Sequence, residues 1–409
     1  MSTATPSPEN PRRIALAKPS FDESEEAAVL EAIRSGWVTQ GPRVAEFEQS
    51  FARAVGACEA VATTSCTTAL FLSLHALGVG RDDEVVVPSL SFIASANVIA
   101  QAGAAPVFAD VDPRSYNLDP RAAEAAITPR TRAILLVHQL GLPADLDRFA
   151  ALARDRGIAL VEDAACAVGA QHGGRPIGSS GNLVCFSFHP RKVLVTGEGG
   201  MIATNDSALA QRLRRLRHHG MSISDVERHR AEFVLHERYD EVGFNLRLSD
   251  VHAALGLAQL AKLPRLLARR RAVAARYAEA LSSTHGLVLP HAPERALPNF
   301  QSYIVRLCGG AAAQRDRVME GLLRRGVATR RGLMASHLEP AHRDTQRGGP
   351  LPHTEAAARE TLLLPCHAEL SDDDVDYVVA SLREALAEAV APIGSVREGE
   401  KSEALGAPR

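Results

Sequence analysis

Between residues 84 and 163, short continuous apolar runs alternate with segments whose apolar positions recur at helical spacing. "EVVVP", "APVFADV", "RAILLVH" and "IALVED" read as strands. "FIASANVIAQAG", "RAAEAAI" and "DLDRFAALARDRG" lie between them and read as helices, the first and last stopping at Gly103 and Gly157. Strands separated by helices of about ten residues imply right-handed crossovers and a mostly parallel sheet. Strands buried on both faces of such a sheet are apolar throughout, as "AILLV" and "IALV" are.

After Asp250 the pattern changes. "VHAALGLAQLAKL" and "PRLLARRRAVAARYAEALSS" read as two long helices. "SYIVRL" follows as a strand, then "AAQRDRVMEGLLRRG" and "DDDVDYVVASLREALAEA" as helices. This is an α+β module. We expect a disordered tail over 1–13, a large domain over 14–262, a smaller domain over 263–390 and a second tail over 391–409. The length of 409 residues, more than one core usually serves, agrees with two domains.

Composition narrows the function. A net charge of −2 gives no reason to expect a nucleic-acid or membrane partner. Arginines cluster at Arg212 to Arg217 and Arg269 to Arg271, but apolar residues between them point to solvated helix faces. The six cysteines form no C-x-x-C pair and no zinc spacing, so no metal site is expected. With no secretory signal and no apolar run of about 20 residues, a soluble, cytoplasmic protein is expected.

In an open parallel sheet, ligands bind beyond the carboxyl ends of the strands. "IALVED" delivers Glu162 and Asp163 there, and "CFSFHPRK" delivers Ser187, His189 and Lys192 before the glycine turn "TGEGG". Ser89 and Phe92 follow "EVVVP". In "TTSCTTALFLSLHAL", Ser65, Cys66 and Thr67 stand at a helix start, where free N–H groups and the helix dipole favour a phosphate. Taken singly, each has an ordinary reading: a surface lysine, a turn aspartate, a core phenylalanine, a plain helix cap. Together they match the needs of pyridoxal 5′-phosphate, which are an imine-forming lysine, an acid for the ring nitrogen, a phosphate seat and a ring to stack on. Lys192 must react as an amine, and a desolvated cleft is expected to depress its pKa.

"FSFHPRK…TGEGG" resembles the lysine segment of the DegT/DnrJ/StrS sugar aminotransferases, as do "SGWVTQGPRVAEFEQSFA", "TTSCTTAL", "PSLSFIASANVI", "VHQLGLPADL", "EDAACAVGA" and "GFNLRLSDVHAALGLAQL". "HLEPAH" and "LPHTEAAARETLLLPCHAELSDDDVDYVV" resemble the family's carboxy-terminal domain. The resemblance implies a PLP-dependent transferase of fold type I. It implies Lys192 as the Schiff-base lysine, Asp163 as the pyridinium partner, and Ser65, Cys66 and Ser187 on the phosphate. Phe92 would lie against the ring. Asn245 would reach the neighbouring subunit's cofactor, which makes the active unit a homodimer. Where the family often has Gln or His beside the ring, this chain has Cys166, a weak hydrogen-bond donor. A related dehydratase branch has histidine in place of the lysine; Lys192 therefore favours transamination.

The implied reaction moves an amino group from glutamate to a keto-sugar nucleotide. "TGEGG" resembles the branch acting at C4 more than the C3 branch. The alternatives are a cyclitol aminotransferase acting on a scyllo-inosose-type ketone and a non-catalytic, cofactor-binding regulatory protein. No G-x-G-x-x-G follows the first strand, so a nicotinamide enzyme lacks support.

Overall fold

The structure is a computed structural model that describes residues 12–345 and 348–391. Most of the two expected tails, 1–11 and 392–409, lies outside the described residues.

The first nine strands are β1 (Glu59–Thr63), β2 (Glu84–Pro88), β3 (Ala105–Ala109), β4 (Thr131–Val137), β5 (Ala159–Asp163), β6 (Gln171–His172), β7 (Arg175–Pro176), β8 (Leu183–Ser187) and β9 (Gly200–Thr204). Seven of them form the central sheet in the order β1-β9-β8-β5-β4-β2-β3. Pairing is parallel from β3 through β8, and β9 runs antiparallel to both of its neighbours. The expected mostly parallel sheet is therefore present, and the hairpin carrying "TGEGG" supplies its one reversed strand. β4 buries every residue from Ala133 to Val137, as a strand covered on both faces must.

The remaining strands are β10 (Leu287–Val288), β11 (Ala296–Leu297), β12 (Tyr303–Leu307), β13 (Arg330–Arg331) and β14 (Thr361–Leu364). β11 joins β6 and β7, whereas β10-β12-β14-β13 is a separate antiparallel sheet. The helices Arg315–Arg324 and Asp372–Val390 pack with that second sheet around Val305, Val318, Leu322, Leu362 and Val378.

The two long helices expected after Asp250 are one helix, Asp250–Leu281, with Pro264 inside it. Proline removes one helix hydrogen bond. The buried side chains that flank it, Leu263, Leu266 and Leu267, hold the helix on course. These three belong to the core of the large sheet, and Val273, Ala274, Tyr277 and Leu281 belong to the second core. The position expected for a domain boundary, 262–263, thus falls inside a helix that serves both cores.

The arginine clusters also differ from expectation. Arg217 is buried and bonded to Glu48, and Arg214 bonds Glu59 at 2.8 Å. Arg270 is only 3% exposed. Its guanidinium donates to the carbonyls of Phe300, Gln301 and Cys366. Buried carbonyls need donors, and arginine satisfies several at once, so Arg217 and Arg270 face the interior despite their charge, while Arg214 is half-buried.

Candidate active site

The carboxyl edge of the central sheet opens into a cleft of about 320 Å³. Ser65, Cys66, Phe92, Asp163, Cys166, Ser187 and Lys192 all line it. The segments that carry them are at least 20 residues apart in the chain, from 65–66 to 187–192, and the parallel topology gathers them at one edge. Asn245 does not line the cleft of its own chain; it is exposed and pairs with His218 in an isolated bridge.

Lys192 sits in the hairpin between β8 and β9. Phe188 N–H donates to the Gly199 carbonyl at 2.9 Å, and Thr196 N–H donates to the Phe188 carbonyl at 2.8 Å. Val193, Leu194 and Val195 are buried and anchor the loop. Gly200 approaches the Ser65 turn so closely that a Cβ there would lie 2.3 Å from the Ser65 carbonyl carbon. The glycine run therefore seats the lysine hairpin against the helix start at 65–67.

Nζ of Lys192 donates to Sγ of Cys166 at 3.1 Å. Burial opposes the ammonium, but its interactions with Cys166 first, and then with Cys66 and Asp163, outweigh it and raise the Lys192 pKa above the ordinary lysine value. The expected depression is thus reversed, because the amine has a hydrogen-bond partner in Cys166 and a carboxylate neighbour in Asp163 that desolvation alone did not take into account.

Asp163 ends β5 and is 6% exposed. Ser95 Oγ donates to its Oδ2 at 2.8 Å and Ala165 N–H to its Oδ1 at 3.0 Å. His138 N–H holds its backbone carbonyl at 3.0 Å. Next to it, Glu162 is fully buried, does not line the cleft and bonds His138, Ser180 and Asn182. Burial resists the Glu162 carboxylate, but these bonds hold its pKa below the usual value. Because His138 Nδ1 accepts from Ala144 N–H, its Nε2 carries the proton given to Glu162. Adjacent carboxylates at one strand end therefore divide: Asp163 faces the cleft and Glu162 braces the wall.

Ser65 caps the helix Cys66–Ala76, its Oγ accepting from Thr68 N–H at 3.2 Å. The N–H groups of Cys66 and Thr67 belong to the first turn and have no acceptor within the helix. Phe92 precedes the helix Ala94–Gln101 and leaves 59% of its surface exposed at the cleft. Ser89 does not join the site: it is fully buried and bonds His337 Nδ1 at 2.7 Å.

Sequence reasoning missed Ser95, Asn299, Gln301 and Arg330. Asn299 Nδ2 donates to the carbonyls of Cys166 and Val168, each at 2.8 Å, and Gln301 Nε2 donates to the Arg191 carbonyl. Both approach from the segment before β12, far away in sequence, and no local pattern marks them.

A profile of the DegT/DnrJ/EryC1/StrS aminotransferase family matches residues 19–383. The chain belongs to that family. A GDP-perosamine synthase of Caulobacter vibrioides is 42% identical to this aminotransferase over 378 residues, covering 91% of this chain and 98% of the relative. The aminotransferase TlmJ from Streptoalloteichus hindustanus superposes with a TM-score of 0.85 at 41% identity, over 92% of this chain and all of that one. The PLP form of Spr1654 from Streptococcus pneumoniae superposes with a TM-score of 0.85 at 28% identity, over 92% of this chain and all of that one. The likeness covers 92% of the chain, and the fold is that of the PLP-dependent aminotransferases.

The residues present fit that cofactor. The cleft offers one amine, a carboxylate already tied to Ser95 and Ala165, first-turn N–H donors at Cys66 and Thr67, and the Ser187 hydroxyl. No helix of the described residues is long and apolar enough to cross a membrane.

Proposed function

We propose that this aminotransferase uses pyridoxal 5′-phosphate to move an amino group from glutamate to a 4-keto sugar nucleotide. The observation that carries the reading is the convergence of Lys192 Nζ, Asp163 and the Ser65–Thr67 helix start in one cleft. The choice of sugar nucleotide is supported by the 42% identity to a GDP-perosamine synthase and by the "TGEGG" hairpin.

Each residue has a task that follows from its position. Lys192 would attach the cofactor and, once the donor's amine displaces it, its free Nζ would accept the proton from the donor's α-carbon and, in the second half-reaction, deliver a proton to the carbon that receives the new amine. The bound cofactor supplies an electron sink for that carbon. Asp163, fixed by Ser95 and Ala165, would hold a proton on the ring nitrogen. Cys66, Thr67 and Ser187 would bind the phosphate, and Phe92 would cover one side of the ring. Cys166 would orient Lys192 through their shared hydrogen bond.

The experiment is product mass spectrometry. Enzyme, glutamate and PLP are mixed with 4-keto sugar nucleotides, 3-keto sugar nucleotides and a scyllo-inosose-type ketone. An amino product from the 4-keto panel alone supports the reading. A cyclitol amine alone would replace it, and no amine from any ketone would leave only a cofactor-binding protein.

A further inference from the structure

The reaction described so far uses no thiol as a nucleophile, yet two cysteines line the cleft, Cys66 and Cys166. They differ in what surrounds the sulfur. Cys66 is buried, and its Sγ donates to the Cys185 carbonyl at 3.5 Å. Burial first, and then Asp163, push its pKa well above the ordinary thiol value. Such a thiol is inert. Cys166 is half-buried at the cleft wall, and its Sγ accepts from Lys192 Nζ at 3.1 Å. Among the described residues no other cysteine sulfur bonds an amine.

Both partners are fixed through their backbones. Asn299 Nδ2 donates to the Cys166 carbonyl at 2.8 Å, and a Cβ added at Gly141 would lie 2.9 Å from that same oxygen. The turn after β5 is therefore tightly packed. Lys192 N–H donates to the His189 carbonyl at 2.8 Å, and Val193 and Leu194 next to it are buried. Groups held in contact on rigid backbones react as if highly concentrated.

We propose that Cys166 and Lys192 form an oxidative modification site, at which a peroxide joins Sγ to Nζ and takes the reactive amine out of use. First, the Cys166 sulfur attacks one oxygen of hydrogen peroxide. The O–O bond breaks, a sulfenic acid forms, and the other oxygen leaves as water with the thiol proton. Sulfur gives up a pair of electrons and the peroxide takes them. Next, the lone pair of neutral Nζ attacks that sulfur. The S–O bond breaks, and the hydroxyl group leaves with one amine proton as a second water. This step involves no further oxidant. Sulfenic acids condense with thiols and with backbone nitrogen in the same way. Here the lysine nitrogen already touches the sulfur. A dithiol reverses the block: it attacks the sulfur, releases the amine and restores the thiol as it becomes a disulfide. The consequence for turnover rests on the aminotransferase reading of the cleft, whereas the linkage itself requires that Lys192 be free. It is free in cofactor-stripped protein and, on that reading, after glutamate has given up its amino group.

The test treats three samples with hydrogen peroxide and maps them by peptide mass: cofactor-stripped protein, PLP-loaded protein, and PLP-loaded protein given glutamate without a ketone. Stripped protein should yield the Cys166 and Lys192 peptides joined, at a mass lower than their sum by the hydrogens lost, and dithiothreitol should separate them. PLP-loaded protein should lack this product, and glutamate should restore it. Lys192→Ala has no amine to capture the sulfenic acid, so dimedone should label its Cys166 instead. A Cys66–Cys166 disulfide in place of the linkage overturns the proposal. So does stripped protein in which Cys166 is oxidised to sulfinic acid while Lys192 stays unbonded, or a Lys192→Ala chain that takes up no dimedone at Cys166. If the linkage forms in stripped protein but glutamate does not restore it in loaded protein, the proposed reaction fails and the modification site stands.

Discussion

Lys192 Nζ and Cys166 Sγ stand 3.1 Å apart, so the reactive amine and a thiol form one hydrogen-bonded pair. The pair raises the Lys192 pKa despite burial. Cys166→Ala should lower it. Competitive acetylation of cofactor-stripped protein should label Lys192 at a lower pH in the variant than in the unmutated chain. The stability effect has a definite sign. A lysine whose folded pKa exceeds its unfolded value stabilises the fold below the ordinary lysine pKa and loses that contribution as pH rises through the folded pKa. The stability difference between the two proteins should therefore be fullest at neutral pH and close at strongly alkaline pH. A variant with the same labelling profile as the unmutated chain would remove Cys166 from the pair.

Asp163 and Ser95 make the second test. Ser95 Oγ donates to Asp163 Oδ2 at 2.8 Å inside the protein. Asp163→Asn removes the charge that would hold the ring proton, and the rate of amino transfer from glutamate should fall ~10²-fold or more. Ser95→Ala keeps the carboxylate but removes one charge-assisted bond, a loss of roughly 10-fold in the same assay. A Ser95 variant as impaired as the Asp163 variant would mean that the serine contacts the reacting groups itself.

Much of this arrangement was legible in the sequence because it is local. Lys192 stands before "TGEGG", Asp163 ends an apolar strand, and Ser65 opens a helix; spacing and residue type suffice for each. What stayed hidden depends on contacts between distant segments. Ser95 meets Asp163 across 68 positions, and Asn299 reaches Cys166 across 133. The unbroken helix Asp250–Leu281 was misread at Pro264, because proline is a strong local stop. Tertiary packing of Leu263, Leu266 and Leu267 overrode it. Arg217 and Arg270 were misread for a related reason: helical periodicity does not tell a solvated arginine from one that feeds buried carbonyls.

Arg270 gives a stability prediction. It is 3% exposed and bridges the long helix to the carbonyls of Phe300, Gln301 and Cys366. Arg270→Met fills similar space but leaves those acceptors without their donor. Each buried acceptor left unsatisfied in this way costs about 1–3 kcal/mol. Urea unfolding should show that loss, and Arg276→Met, at an exposed ion pair with Asp376, should change stability far less. Equal effects at the two sites would show that the buried bonds contribute no more than a surface pair.

The last prediction concerns Asn245. It is exposed, sits before the long helix, and does not line its own chain's cleft. An exposed asparagine in "GFNLRLSD" can simply shape a turn. Family membership supports a different task, contact with the cofactor phosphate of a neighbouring subunit, which would require a homodimer with shared sites. Subunit mixing separates the two. Lys192→Ala chains and crippled Asn245→Ala chains are each inactive, or nearly so, alone. In a mixed dimer with shared sites, one site carries both lesions and the other carries neither. Activity should then reappear, up to about half of the unmutated dimer, in proportion to the mixed dimers counted by native mass spectrometry. If each site is built from one chain, every site in the mixed dimer still carries a lesion and no recovery follows. Confirmed exchange without recovery would exclude the shared site and return Asn245 to the turn.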